Sequence, residues 1–118
     1  MFDENRRKYP RVNYPCQLTM LLLQGAKETI SAQSSNIGLG GLCVHLDKSM
    51  AIGIDLDIQI NFTNPTTPFK CKGTVVRCQP QEKSYNIGIQ FEPLSELKYA
   101  FLDGKVSELI ALEKEGKS

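Results

Sequence analysis

Three of the four arginines in this chain stand within six positions, at Arg6, Arg7 and Arg11, and the fourth is Arg77. Everywhere else the positive charge is lysine. A guanidinium is a flat fork of donors that fits phosphate oxygens, or one edge of guanine, in pairs; an ammonium is a point charge. Pro10 disfavours helical geometry at Tyr9, so the arm should run extended near Arg11. In an extended chain Arg7 and Arg11 point to the same side, about 13 Å apart. Downstream, Asn36-Ile37-Gly38-Leu39-Gly40-Gly41 places three glycines in four positions. Such a stretch permits positive φ, lets a ligand approach the backbone, and can turn its amides into an anion-binding concavity. Planar donors on one segment and an open, amide-rich turn on another suit a small anionic ligand.

Charge supports a small partner. Residues 1–11 hold four basic against two acidic side chains, while the remainder is nearly neutral and the whole chain is +1. A near-neutral body with a basic arm does not suit a nucleic-acid polymer, and no such partner is expected. No apolar run reaches the length of a membrane span, so direct membrane insertion is not expected. The first residues are charged and lack an apolar signal core, which predicts a cytoplasmic protein. The four cysteines, Cys16, Cys43, Cys71 and Cys78, show no C-x-x-C spacing and read as buried free thiols. With one histidine, His45, neither a metal cluster nor a nucleophile–base pair can be assembled. The expectation is a binding module, not an enzyme, with no metal and no cofactor.

These residues need a frame. Alternation predicts strands over 12–23, 28–35, 42–46, 54–62, 69–79 and 84–91. The clearest carries Ile54, Leu56, Ile58, Ile60 and Phe62 on one side and polar residues on the other. On 69–79 the same period puts Arg77 in phase with Phe69, Cys71, Gly73 and Val75. After Pro93 the period lengthens through Leu94, Leu97, Phe101, Val106, Leu109 and Ile110, an amphipathic helix with Ser95 as N-cap. Gly104 is expected to weaken or break its middle. The fold class is all-β with a C-terminal helix: a six-stranded antiparallel β-barrel plus one α-helix. Residues 1–11 form a mobile arm, 12–112 the barrel with its helix, and 113–118 a frayed tail.

On these motifs the chain resembles the PilZ domain, a bacterial receptor module for cyclic di-GMP. The family pairs an R-x-x-x-R arm with a D/N-x-S-x-x-G turn. Arg7-Lys8-Tyr9-Pro10-Arg11 matches the first. Asn36 to Gly41 matches the second at Asn36 and Gly41, with Gly38 where the family has serine. Gly73-Thr74-Val75-Val76-Arg77 and Asn86-Ile87-Gly88-Ile89-Gln90-Phe91 are similar to the family's closing strands. The resemblance covers about residues 6–110. It implies that Arg7 and Arg11 clamp cyclic di-GMP with Arg6 in support and that Asn36 meets a guanine edge. It further implies that Gly38, Gly40 and Gly41 allow close backbone approach. Arg77, at the end of an apolar strand face, is a further candidate contact, the alternative being a side chain that snorkels to water or pairs with a carboxylate. The occupied arm would order around the ligand and signal to a downstream protein. Gly38 points to an alternative, a degenerate interaction domain that has lost the ligand.

Overall fold

The computed structural model describes residues 11–12, 16–23, 28–62 and 68–116, with Arg11 and 113–116 described by their backbone alone. Seven strands precede one helix: β1 Arg11–Val12, β2 Gln17–Leu22, β3 Thr29–Gly38, β4 Gly41–Leu46, β5 Asp55–Asn61, β6 Phe69–Pro80, β7 Tyr85–Phe91 and α1 Glu96–Gly116. All the strand pairings are antiparallel. The ladder runs β3-β2-β5-β6-β7-β4, and β4 pairs back onto β3, so the six expected strands close into a barrel. Closure removes the free edges that an open sheet would expose. The short β1 adds to β3, pairing Arg11 with Gly38 and Val12 with Ile37. The end of the expected arm is therefore a strand, and Val12 is buried at 1% exposure in the core.

The interior follows the two-residue period of the sequence. Leu18 and Met20 of β2, Leu42 and Val44 of β4, Leu56, Ile58 and Ile60 of β5, and Ile87 and Ile89 of β7 are all buried in one cluster. β-Branched and aliphatic side chains fill the narrow barrel, where each buried one contributes about 1.5–3 kcal/mol by leaving water.

The helix closes this core. Ser95 Oγ accepts the Lys98 amide at 3.2 Å, the expected N-cap. Phe101 stacks on Phe69 with ring centroids 5.6 Å apart and meets Phe62 edge-on at 6.1 Å. Leu102, Val106 and Leu109 join the same cluster. Gly104 does not break the helix, which runs unbroken to Gly116, past the boundary expected at 112. Gly104 lies on the exposed side with open space around it, so its missing side chain leaves no gap in the packing. The helix is held by its buried stripe, and tertiary packing outweighs the local penalty of about 1 kcal/mol.

Two strands depart from regular pairing. Ser34 pairs with Val44 but Asn36 pairs with Cys43, which leaves Ser35 as an extra residue in β3. Val75 pairs with Ile89 but Arg77 pairs with Gly88, which leaves Val76 extra in β6. Because side chains alternate, one extra residue reverses the face of everything after it. Asn36 and Arg77 are thereby turned from the core face to the outer face. The expectation that Arg77 shares a face with Val75 is corrected by this bulge.

A candidate ligand-binding face

The two bulges align four outward positions across four neighbouring strands. Asn36 of β3 pairs with Cys43 of β4, Cys43 with Gly88 of β7, and Gly88 with Arg77 of β6. The row is polar at its ends and small in its middle. Arg77 Nη2 donates to Cys43 Sγ at 3.0 Å, and Ser35 Oγ donates to the Cys43 carbonyl at 3.3 Å. A Cβ on Gly88 would come within 3.2 Å of Arg77 Cβ, Cζ and Nη2. The guanidinium therefore lies against the bare backbone of Gly88, with a thiol sulfur at its tip.

Beside this row stands the β3–β4 hairpin with its glycines. The expected glycine turn is shorter than the sequence suggests. Gly38 is the last residue of β3, paired with Arg11, and Gly41 opens β4, paired with Gln90. Only Leu39 and Gly40 turn the chain, and the Gly40 carbonyl accepts the Phe91 amide at 2.9 Å. Gly41 is required by packing between strands: a Cβ there would overlap the Ile89 carbonyl oxygen. Positive φ, expected of this segment, is found instead at Gly53, at 97°. Gly38 and Gly41 are buried and Gly40 is exposed.

The face holds polar atoms without partners. Asn36 Oδ1, Arg77 Nε and Asn86 Oδ1 are buried and lack a hydrogen bond. Asn86 pairs with His45, one step along β7 from the row. An amide carbonyl or guanidinium N–H stripped of water and left unpaired is destabilising by about 1–3 kcal/mol. Two acceptors and one donor on one outer surface make it suited to a partner that brings both kinds of group.

Of the sequence-predicted residues, the structure brings Asn36, Gly38, Gly41 and Arg77 onto neighbouring strands, with Gly40 at the hairpin tip and the backbone of Arg11 alongside Gly38. Arg6 and Arg7 lie outside the described residues, so their place relative to this face is an expectation. Sequence reasoning did not single out Cys43, Asn86 or Gly88 as part of a site. The signal for Gly88 was present: a glycine between Ile87 and Ile89, inside a strand, marks a close approach. Cys43 and Asn86 carried no such signal.

Of the remaining thiols, Cys16 and Cys71 are buried as expected, while Cys78 is only partly buried. Burial pushes the Cys71 thiol up to about 12, partly offset by the Lys98 charge, and burial also raises Cys16 against a hydrogen bond from Ser34. Cys16, Cys43, Cys71 and Cys78 are all free. Among the described residues no group of histidine, cysteine and carboxylate side chains could hold a metal ion. No helix among them is long and apolar enough to cross a membrane.

The architecture recurs in known structures. The PilZ domain of YcgR from Escherichia coli, determined with c-di-GMP, superposes with a TM-score of 0.80 at 16% identity, covering 95% of this chain and 97% of that one. The Bacillus subtilis inhibitor of motility MotI (DgrA) superposes with a TM-score of 0.73 at 20% identity, over 87% of this chain and 50% of that one. The Klebsiella pneumoniae MrkH–c-di-GMP complex superposes with a TM-score of 0.67 at 16% identity, over 96% of this chain and 56% of that one. This chain thus spans about half the length of MotI and MrkH. At these identities the likeness is one of fold. No curated protein matches the chain. The model of the PilZ domain matches residues 5–104, from the arginine arm through the barrel and into the helix, and the chain belongs to the PilZ domain family.

Proposed function

We propose that this protein is a cyclic di-GMP receptor module that binds the dinucleotide on the outer β3–β4–β7–β6 face and passes its state to a separate protein. The observation that carries the reading is the pair of bulges. They turn Asn36 and Arg77 outward onto a floor of small residues, where each keeps an unpartnered polar atom. The YcgR domain and MrkH, whose structures contain c-di-GMP, share the fold on which these residues sit.

Each residue has a stated role in this reading. Arg7 and Arg11 clamp the two phosphates as bidentate forks, and Arg6 supports them. Arg11 starts from a backbone already paired to Gly38, the residue that ends β3 before the hairpin. Asn36 accepts from a guanine edge. Arg77 offers a guanidinium plane on which a base can stack, or a fork for guanine O6 and N7. Gly40 leaves the hairpin tip open to the ligand, and Gly38, buried and paired with Arg11, puts no side chain in the way, while Gly41 serves the barrel. Ordering of residues 1–10 around the ligand is the change a partner reads, in motility, biofilm or pilus-type control. The module acts in the cytoplasm, without catalysis.

Gly38 favours a second reading, an interaction domain without ligand. Serine at that position would add one hydrogen bond, about 0.5–1.5 kcal/mol, so its absence weakens binding about tenfold and does not abolish it. Titration calorimetry separates the two. We expect micromolar or tighter binding of cyclic di-GMP, lost by at least about a hundredfold in Arg7→Ala or Arg11→Ala, because a charge-assisted bidentate contact goes with each arginine. Absence of heat from folded wild-type protein at high ligand concentration would leave the interaction-domain reading standing.

A further inference from the structure

Neither the arginine arm, the Asn36–Gly41 turn nor the row of four gives Asn86 a role. It stands on the outer face of β7, two residues before Gly88, and pairs with His45 of β4 and Gln79 of β6. It is therefore the diagonal neighbour of Arg77, and diagonal neighbours on one sheet face lie about 7–8 Å apart. That distance is about the width of a purine. Its carbonyl oxygen is buried and accepts from nothing. Asparagine is disfavoured on strands, and one whose carbonyl is both dehydrated and unpaired is destabilising where it stands. Such a residue is accounted for by a donor arriving from outside.

We infer that Asn86 is a base-reading residue of this face, accepting hydrogen bonds from the N1–H and N2–H donors of a guanine stacked on the Arg77 guanidinium. The inference rests on the proposed binding of cyclic di-GMP and adds to it a second source of base specificity beside Asn36. Guanine presents two adjacent donors on that edge, which converge on one carbonyl. Adenine presents one donor beside an acceptor, N1, which repels it. Arg77 is donor-only and so cannot read that edge; an acceptor beside it completes the discrimination. Sites that hydrogen-bond a ligand group discriminate strongly against analogues lacking it.

The test titrates wild-type protein, Asn86→Ala and Asn86→Asp with cyclic di-GMP and with cyclic di-AMP, and records thermal melting of each protein without ligand. Asn86→Ala should weaken cyclic di-GMP about tenfold and narrow the preference over cyclic di-AMP. Aspartate keeps an acceptor in the same place and no donor, so Asn86→Asp should retain cyclic di-GMP binding within about threefold. Removal of an unpaired carbonyl should leave the melting temperature of Asn86→Ala unchanged or higher, which a purely structural role would not. Wild-type affinity in Asn86→Ala, or equal loss in both variants, overturns the inference and leaves the receptor reading intact. Failure of the wild-type protein to bind overturns both.

Discussion

The two faces of strands β3, β4, β6 and β7 are built by opposite rules. Inside, Ile37, Leu42, Val44, Val75, Ile87 and Ile89 alternate regularly and are all buried in one cluster. Outside, the same strands carry Asn36, Cys43, Arg77, Gly88 and Asn86, a row of small and polar residues with three unpartnered atoms. The two cysteines show the contrast in a single residue type. Cys71 faces inward, and burial pushes its thiol up to about 12. Cys43 faces outward, where its sulfur accepts from Arg77. The inner face maximises removal of apolar surface from water, and the outer face retains polar groups at a stability cost. Deviations from local consistency of that kind concentrate where a protein binds something.

Three substitutions test the contrast between the two faces. The largest effect falls on the contact between strands. Gly41→Ala drives a Cβ into the Ile89 carbonyl, which is backbone and cannot rotate away. We expect a loss of about 3 kcal/mol or more in urea denaturation, with binding lost alongside it. A stable Gly41→Ala protein with normal binding would mean that β4 and β7 are not packed as closely as described.

Gly88→Ala should separate the two faces. The added Cβ meets three Arg77 atoms at 3.2 Å: Cζ and Nη2 belong to the far end of the side chain and can move, while Cβ must yield by only a few tenths of an ångström. Stability should change by less than about 1 kcal/mol. Affinity for cyclic di-GMP should fall about tenfold as the guanidinium leaves the Gly88 floor, as for loss of one hydrogen bond to a charged group. An unchanged affinity in calorimetry would remove Arg77 from the site.

The smallest effect belongs to the inner face and appears only in alkali. Below pH 9.0, the ordinary value of the thiol, folded and unfolded chains both carry neutral Cys71. As pH rises from there toward about 12, the unfolded chain releases the thiol proton while the folded chain keeps it. The unfolded state is favoured, and stability falls through that window. Cys71→Val removes this contribution, so its stability should decline less steeply with pH than that of the wild type. Parallel urea-denaturation curves at neutral and alkaline pH would show that Cys71 is not the source.

Much of this molecule was legible in the residue order. The alternation of Leu56, Ile58 and Ile60 gave a strand with one buried face, and the change of period after Pro93 gave the helix with Ser95 at its cap. The concentration of arginine at Arg6, Arg7 and Arg11, with Asn36 and Gly41 downstream, pointed to the family. Periodicity and residue type are local properties, and burial amplifies them, so a one-dimensional reading recovers them.

Pairing decided the rest. Nothing in Ser34-Ser35-Asn36 or Val75-Val76-Arg77 says that one residue in each will be left over. The surplus exists only once a partner strand fixes the register, and it reverses which way Asn36 and Arg77 point. Whether Gly41 answers to a ligand or to Ile89, and whether Gly104 breaks a helix, likewise depended on what lay opposite each in space. Residue order determines which side chains are available for chemistry; strand register determines which of them face the same ligand.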